Sequence, residues 1–287
     1  MKGKPRTQQK QHRSRRAFLA FLLPSFLGVV FFVLLPFLDV FKRSFTTAVT
    51  GEFVGIQNYV TVYENRAFRL AVGNTLRFTL VCLPLLLVLG LLAALLLTNM
   101  KQAQLLKSFF LLPMAMPAAT IVLIWKMTFS ESGFLNRLLS AHTDYMGTGL
   151  AFWVLVFSYV WKNLGYTVVL WLAGILAIPE DYIQAAKVDG AGKVRIFFSI
   201  ILPQLKGCMY TITVLSFLNS FKVFRESYLV SGAYPHESMY LLQHLFNNWF
   251  VYLELDKMAA AAVCIGIVLL GVILFLEKLW EEGDEER

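Results

Sequence analysis

The stretch Leu70–Met100, LAVGNTLRFTLVCLPLLLVLGLLAALLLTNM, decides what kind of protein this is. A helix that crosses a hydrocarbon core about 30 Å thick needs about 20 mostly apolar residues, because every backbone polar group must be satisfied inside the segment. This stretch exceeds that length, enough to tilt or to begin as an interfacial helix. Five others pass the same test: Ala17–Phe41, Leu105–Phe129, Leu150–Ile178, Ile200–Phe221 and Met258–Leu279. A hydrophobic content of 57% and a mean hydropathy of +0.63 lie far above a soluble protein's share. The expected fold class is therefore an all-α integral membrane protein with six transmembrane helices.

The net charge of +8 looks like a nucleic-acid signature until it is located. Lys2, Lys4, Arg6, Lys10, Arg13, Arg15 and Arg16 precede the first apolar run with no acid among them, and these seven carry all but one of the surplus charges. Such a cluster is a juxtamembrane topology signal, which excludes a polynucleotide patch. An N-inside, C-inside path keeps 15 of the Lys and Arg residues inside and eight outside. It places Lys42–Arg69, Ser130–Gly149 and Lys222–Lys257 outside, and Pro179–Ser199 and the acidic tail 281–287 inside. The Ala17–Phe41 stretch is too long for a secretory signal and lacks a small-residue cleavage site, so it reads as a retained first span. Cys82, Cys208 and Cys264 lie far apart without CxxC or His spacing, which argues against disulfides and zinc.

The most informative inner segment is AIPEDYIQAAKVDGAGKVRIFFSIILPQL, Ala177–Leu205. Pro179 suits a first helical position and Glu180 and Asp181 the positive end of the dipole, so a helix is expected to about Val188. Gly190 supplies a left-handed stop and Asp189 a cap for the next helix. That second helix carries an apolar stripe, Val194, Phe197, Phe198 and Ile201, at i, i+3, i+4, i+7. A bent helical pair with small Ala185 and Ala186 on its outer surface is a shape that plugs into another protein; the alternative is a helix resting on the bilayer.

Polar groups inside spans are costly and usually face a cavity or a partner. Lys162-Asn163 is the leading candidate, flanked by Tyr159, Trp161, Tyr166 and Trp171; Ser216, Asn219 and Ser220 lie on nearby turns of the fifth span. Aromatic faces and amides together suit sugars. Trp161 and Trp171 are assigned instead to an interfacial aromatic belt, and Asn74 and Arg77 to contacts between helices or an interfacial face. Lys162, with Lys222 and Arg225, admits two readings: recognition of an anionic sugar, or pairing with Glu226 or a partner. His236 and His244 have no third ligand in the pattern and are assigned to surface contacts rather than a metal.

The 177–205 stretch resembles the signature loop of permease subunits in binding-protein-dependent ATP-binding-cassette importers, whose pattern is Glu-Ala-Ala, three residues, Gly, about nine residues, Ile-x-Leu-Pro. Here it reads Gln184-Ala185-Ala186, Asp189-Gly190-Ala191 and Ile200-Ile201-Leu202-Pro203, with Gln184 where the family usually has Glu. Gly55-Ile56-Gln57-Asn58-Tyr59, Asn74-Thr75-Leu76 and Gly133-Phe134-Leu135-Asn136 resemble further motifs, in the order of the sugar branch with its maltose and glycerol-3-phosphate permeases.

The resemblance implies the type I importer permease fold. It divides the chain into a basic cytoplasmic arm (1–16), a first span with its outer loop (17–69), a five-helix core transport domain (70–280) with the coupling loop 179–199, and an acidic cytoplasmic tail. It implies coupling to an ATPase through Gln184, Ala185, Ala186, Asp189, Gly190, Ala191 and Pro203. It implies a substrate pathway at Tyr159, Lys162, Asn163, Tyr166, Ser216, Asn219 and Ser220. No catalytic or metal site belongs to this chain. There is no GxxxxGK[ST] sequence to cradle phosphate, so ATP and Mg are expected on partner subunits and no cofactor on this chain. The implied partners are a second, related permease, two ATPase subunits, an extracytoplasmic binding protein and lipid, in a bacterial cytoplasmic membrane with both termini inside. An ion-coupled transporter calls for paired acids within spans and a membrane enzyme for clustered His, Asp or Glu; neither pattern occurs. A phosphorylated polyol, peptide or amino acid is the alternative cargo.

Overall fold

The computed structural model describes residues 22–98, 100 and 103–285, so the basic arm lies outside the described residues. The order is α1 (Leu22–Arg43), α2 (Gln57–Glu64), α3 (Arg66–Thr98), α4 (Ala103–Ala115), α5 (Ala118–Phe129), α6 (Phe134–Leu139), α7 (Ala151–Leu176), α8 (Glu180–Val188), α9 (Lys193–Gln204), α10 (Lys206–Ser220), α11 (Phe224–Ser231), α12 (Leu242–Val251) and α13 (Leu255–Glu285). Helices α1, α3 and α13 are each long and apolar enough to cross a membrane alone, and three bent helix pairs, one of them α7 with the short α8 that follows it, bring the candidate spans to as many as six. The chain divides into two compact units: the part up to Tyr63 with Tyr252–Ile267, and Glu64–Val251 with the part from Val268.

In the first unit α1 exposes apolar side chains around its circumference, with Phe32 84% exposed. Water would penalise such a surface, whereas lipid is as apolar as the side chains themselves. The turn after α1 is clamped by Asn58, whose amide donates to the carbonyls of Ser44 (3.1 Å) and Thr46 (3.0 Å). Ser44 Oγ also shares a 2.7 Å hydrogen bond with the Tyr59 hydroxyl. The Asn58-Tyr59 pair thus holds a loop together.

In the second unit α3 packs along α7, α4 lies against α7, and α10 touches both α3 and α7. Small residues set these approaches, as expected where helices associate by close packing instead of water exclusion. A Cβ at Gly165 would stand 2.0 Å from the Phe110 carbonyl oxygen, and one at Gly90 2.6 Å from Thr167 Oγ1. Gly165→Ala is therefore expected to push α4 off α7 and cost about 1–3 kcal/mol by overpacking. Thermal unfolding of the solubilised chain checks this, with Gly73→Ala as control, since a Cβ there meets nothing within 4 Å.

Trp171 is not at an interfacial belt, as its amphipathic ring suggests; it is 1% exposed and its indole N–H donates to the Leu87 carbonyl at 3.1 Å, tying α7 to α3. Leu87 lies three residues past Pro84 in α3, so the indole bonds a different carbonyl from the one that the proline leaves without its helical donor. Arg77 sits 4.4 Å over the Phe152 ring, and Asn74 donates to the Tyr240 carbonyl at 3.0 Å; both are contacts between elements.

Two expected spans are not single helices. The third breaks between Ala115 and Ala118, and its two parts are bent by 97°. Pro113 and Pro117 are the cause, because proline lacks the N–H and clashes with the preceding turn. The fifth bends by 64° at Leu205, two residues after Pro203, and begins at Lys193 rather than Ile200. The 177–205 segment departs in its caps: Pro179 is the N-cap of α8, not its first helical residue, and Gly192 caps α9. Asp189 ends α8 instead, and Gly190 follows at φ +77°, the left-handed stop expected.

Candidate functional site

The second unit encloses a cavity of about 210 Å³ where the broken third span, α7 and the end of α10 meet. The break at Pro113 and Pro117 turns Met114 on α4 and Ile121 and Trp125 on α5 onto one wall. Ser158, Tyr159, Lys162 and Asn163 form the opposite wall, because i, i+1, i+4 and i+5 share one face of α7. Asn219, Lys222, Val223 and Glu226 complete it from α10, the turn that follows and α11.

Four of the pathway residues expected from the sequence are therefore brought together: Tyr159, Lys162, Asn163 and Asn219. Tyr166, Ser216 and Ser220 lie behind this wall. The Tyr166 hydroxyl and Ser216 Oγ share a hydrogen bond of 2.6 Å, and Tyr159 donates to the Ser216 carbonyl at 2.7 Å, so these groups join α7 to α10. Ser220 Oγ donates to the Phe217 carbonyl at 2.7 Å and meets Thr79 of α3 at 3.2 Å. Asn163 donates its amide to the Tyr159 carbonyl at 2.8 Å.

Lys162 forms an ion pair with Glu226. Glu226 is buried at 4% exposure, and removing one partner of such a pair costs about 3–5 kcal/mol because a buried charge is left uncompensated. Of the two readings open for Lys162, the pairing is the one the structure contains. Lys222 differs, for its ammonium donates only to the neutral Asn219 Oδ1 at 2.8 Å. Trp125, Met114 and Ile121 are cavity residues that reading each apolar run as one straight helix missed; Pro113 and Pro117 were the available signal. The Trp125 indole N–H is buried without a hydrogen-bond partner.

The two histidines stand apart in role. His236 Nδ1 pairs with Ser238, while His244 is fully buried, contacts Ser227 and accepts at Nδ1 from the Leu241 amide at 3.1 Å. Burial pushes the His244 pKa down to about 4, so it is neutral at pH 7 and holds a bend rather than a surface contact.

The second place of interest is the α8–α9 elbow. Tyr182, Ala185, Ala186 and Asp189 face Ser199, Ile200, Pro203 and Gln204 across a concavity of about 420 Å³. The Ala191 amide donates to the Ala186 carbonyl at 2.9 Å, and Gly190 to Lys187 at 3.1 Å, closing the end of α8. Gln184 and Gly190 do not line this concavity. Gln184 Nε2 donates to Glu180 Oε1 at 3.2 Å one turn earlier. A glutamate at 184 would face Glu180 as a like charge, so the amide is the better local choice. Val194 and Phe198 of the α9 stripe are exposed, as is Ala185.

A set of apolar spans folded around a cavity that carries polar and charged side chains, with an exposed helical elbow between two of them, defines a polytopic transport subunit. The chain belongs to the family of binding-protein-dependent transport system inner membrane components, whose model matches residues 86–279. It is thus a multi-pass membrane permease component, and the subunit of this family is not itself an enzyme. The trehalose/maltose transport system permease MalF of Thermococcus litoralis is 31% identical over 85% of this chain and 86% of its own length. The arabinooligosaccharide transport permease AraP of Bacillus subtilis is 30% identical, over 90% and 87% respectively. Among solved structures, a chain of a bacterial ABC transporter that imports the acidic polysaccharide alginate matches with a TM-score of 0.83 at 20% identity, covering 96% of this chain and 99% of that one. That likeness is one of fold.

Proposed function

We propose that this permease carries a sugar or oligosaccharide inward by alternating access, driven by ATP hydrolysed on separate subunits. The observation that carries the reading is the cavity wall of Tyr159, Lys162, Asn163 and Asn219, in which an aromatic face adjoins polar groups able to meet hydroxyls. The names of the relatives support it, since MalF and AraP are transport permeases for trehalose/maltose and arabinooligosaccharides. Tyr166, Ser216 and Ser220 belong to the same pathway in this reading. They hold α7 to α10 behind the wall, where a relative movement of those helices alters the cavity. The core transport domain is taken as 70–280, preceded by the first span and its loop.

The α8–α9 elbow receives the ATPase. Gln184, Ala185, Ala186, Asp189, Gly190, Ala191 and Pro203 form its coupling surface, and small side chains with exposed Val194 and Phe198 suit insertion into a protein groove. The concentration of positive charge in residues 1–16 supports placing both termini and the elbow in the cytoplasm. A second related permease, two ATPase subunits holding ATP and Mg, and an external binding protein complete the transporter. The loaded binding protein and ATP each favour one state of the permease by differential affinity.

The test is co-purification of the chain with its neighbours, followed by ATP hydrolysis in the presence of binding protein with and without oligosaccharide. Loaded binding protein is expected to stimulate hydrolysis. Transport that persists without any ATPase subunit would sink the reading.

A further inference from the structure

We propose that Lys222 recognises a carboxylate on the cargo and that the carbohydrate carried is one containing uronic-acid units; this rests on the carbohydrate reading above. The charged side chains on the cavity wall are Lys162, Lys222 and Glu226. Lys162 and Glu226 neutralise one another. Drawing Lys162 toward a cargo would strand Glu226 as a buried, unpaired carboxylate, so Lys162 stays with its partner. Lys222 carries no such obligation. Its ammonium holds a neutral amide oxygen, and among the described residues no carboxylate pairs with it. The cavity is left with one uncompensated positive charge, at a position exposed to an entering ligand.

The hydrogen-bonding inventory points the same way. An ammonium has three donors and no acceptor, and an indole N–H only donates. Lys222 spends one donor on Asn219, Lys162 one on Glu226, and Trp125 none. Two ammonium protons of Lys222, an exposed side chain, are therefore left for the acceptors of an entering ligand. Neutral sugar hydroxyls offer donors and acceptors alike, whereas a carboxylate offers acceptors alone. Exchanging the Asn219 amide oxygen for a carboxylate gives Lys222 a charge-assisted bond and frees Asn219 to meet a neighbouring hydroxyl.

The experiment uses the complete transporter with its binding protein in proteoliposomes. It compares uptake of oligogalacturonates and oligomannuronates with uptake of malto- and xylo-oligosaccharides at equal concentration. Uronate uptake is expected to exceed neutral uptake, and Lys222→Gln to lower the acidic-to-neutral ratio by about tenfold or more, with Lys222→Arg retaining most of it. Uptake of neutral oligosaccharides alone, or a ratio unmoved by Lys222→Gln, would overturn the assignment and leave the carbohydrate reading standing. Uptake of neither class by a complex that hydrolyses ATP would overturn both.

Discussion

Lys162→Met is expected to destabilise the permease by about 3–5 kcal/mol and to abolish uptake, because it strands a buried carboxylate beside the cavity. The two side chains are unequally exposed, 26% for Lys162 and 6% for Glu226, and the asymmetry makes the prediction directional. Glu226→Gln removes the buried charge itself and leaves an ammonium with access to water, so its cost is smaller. Replacing both, Lys162→Met with Glu226→Leu, exchanges an ion pair for apolar groups and is expected to recover most of the stability, since such exchanges are often neutral or better. Uptake is not expected to recover with it, because the polar cavity wall is then lost. Thermal unfolding and uptake of the three variants separate these effects. Lys162→Met as stable as wild type would mean that the pair contributes little and Glu226 finds another partner.

Ala186→Trp has the second large effect expected, on coupling rather than folding. Ala186 sits in the concavity between α8 and α9 beside Ala185 and Pro203, and a large ring there obstructs a partner's approach. The elbow is on the surface of the chain, so unfolding is expected to shift by no more than about 0.5 kcal/mol. Loss of a central contact in a protein interface costs about 2 kcal/mol or more, which corresponds to about a 30-fold drop in affinity for the ATPase. Stimulation of hydrolysis by the loaded binding protein is expected to disappear. A cysteine at Ala186 provides the positive counterpart, a crosslink to the ATPase in the assembled complex. Normal coupling with tryptophan at 186 would place the docking surface elsewhere.

The cavity shows where reading by apolar runs succeeds and where it stops. Tyr159, Lys162 and Asn163 were legible because a polar cluster within a span is costly unless something uses it, and a single helix turn puts them together. Trp125 was not. Its run from Leu105 to Phe129 satisfies the length test as one straight helix, and only the 97° bend at Pro113 and Pro117 brings it round to face α7. Trp171 failed in the opposite sense. Its amphipathic ring suggests an interface, but the Leu87 carbonyl three residues past Pro84 offers an acceptor in the interior.

The motif asparagines carry a related lesson. Asn58 and Asn136 each bind carbonyl oxygens of neighbouring loops, Asn136 donating to Glu131 at 3.0 Å and Thr143 at 2.8 Å. Their side-chain amides add to the backbone hydrogen bonds that close these turns. Ser220, read as part of the pathway, meets Thr79 of α3 across a buried contact for which local sequence holds no clue.

By itself the sequence determined the solvent, the helical class, the six apolar segments and the glycine stop at the elbow. These follow from length, hydropathy and backbone preference, which act within a turn or two of chain. Tertiary structure alone decided which segments bend, which α7 face meets the cavity, and that Lys162 belongs to Glu226, while Lys222 on the same wall has no carboxylate partner among the described residues. Those outcomes depend on groups far apart in the chain, Lys162 and Glu226 being 64 residues from one another, and no local preference encodes which buried charge will find which partner.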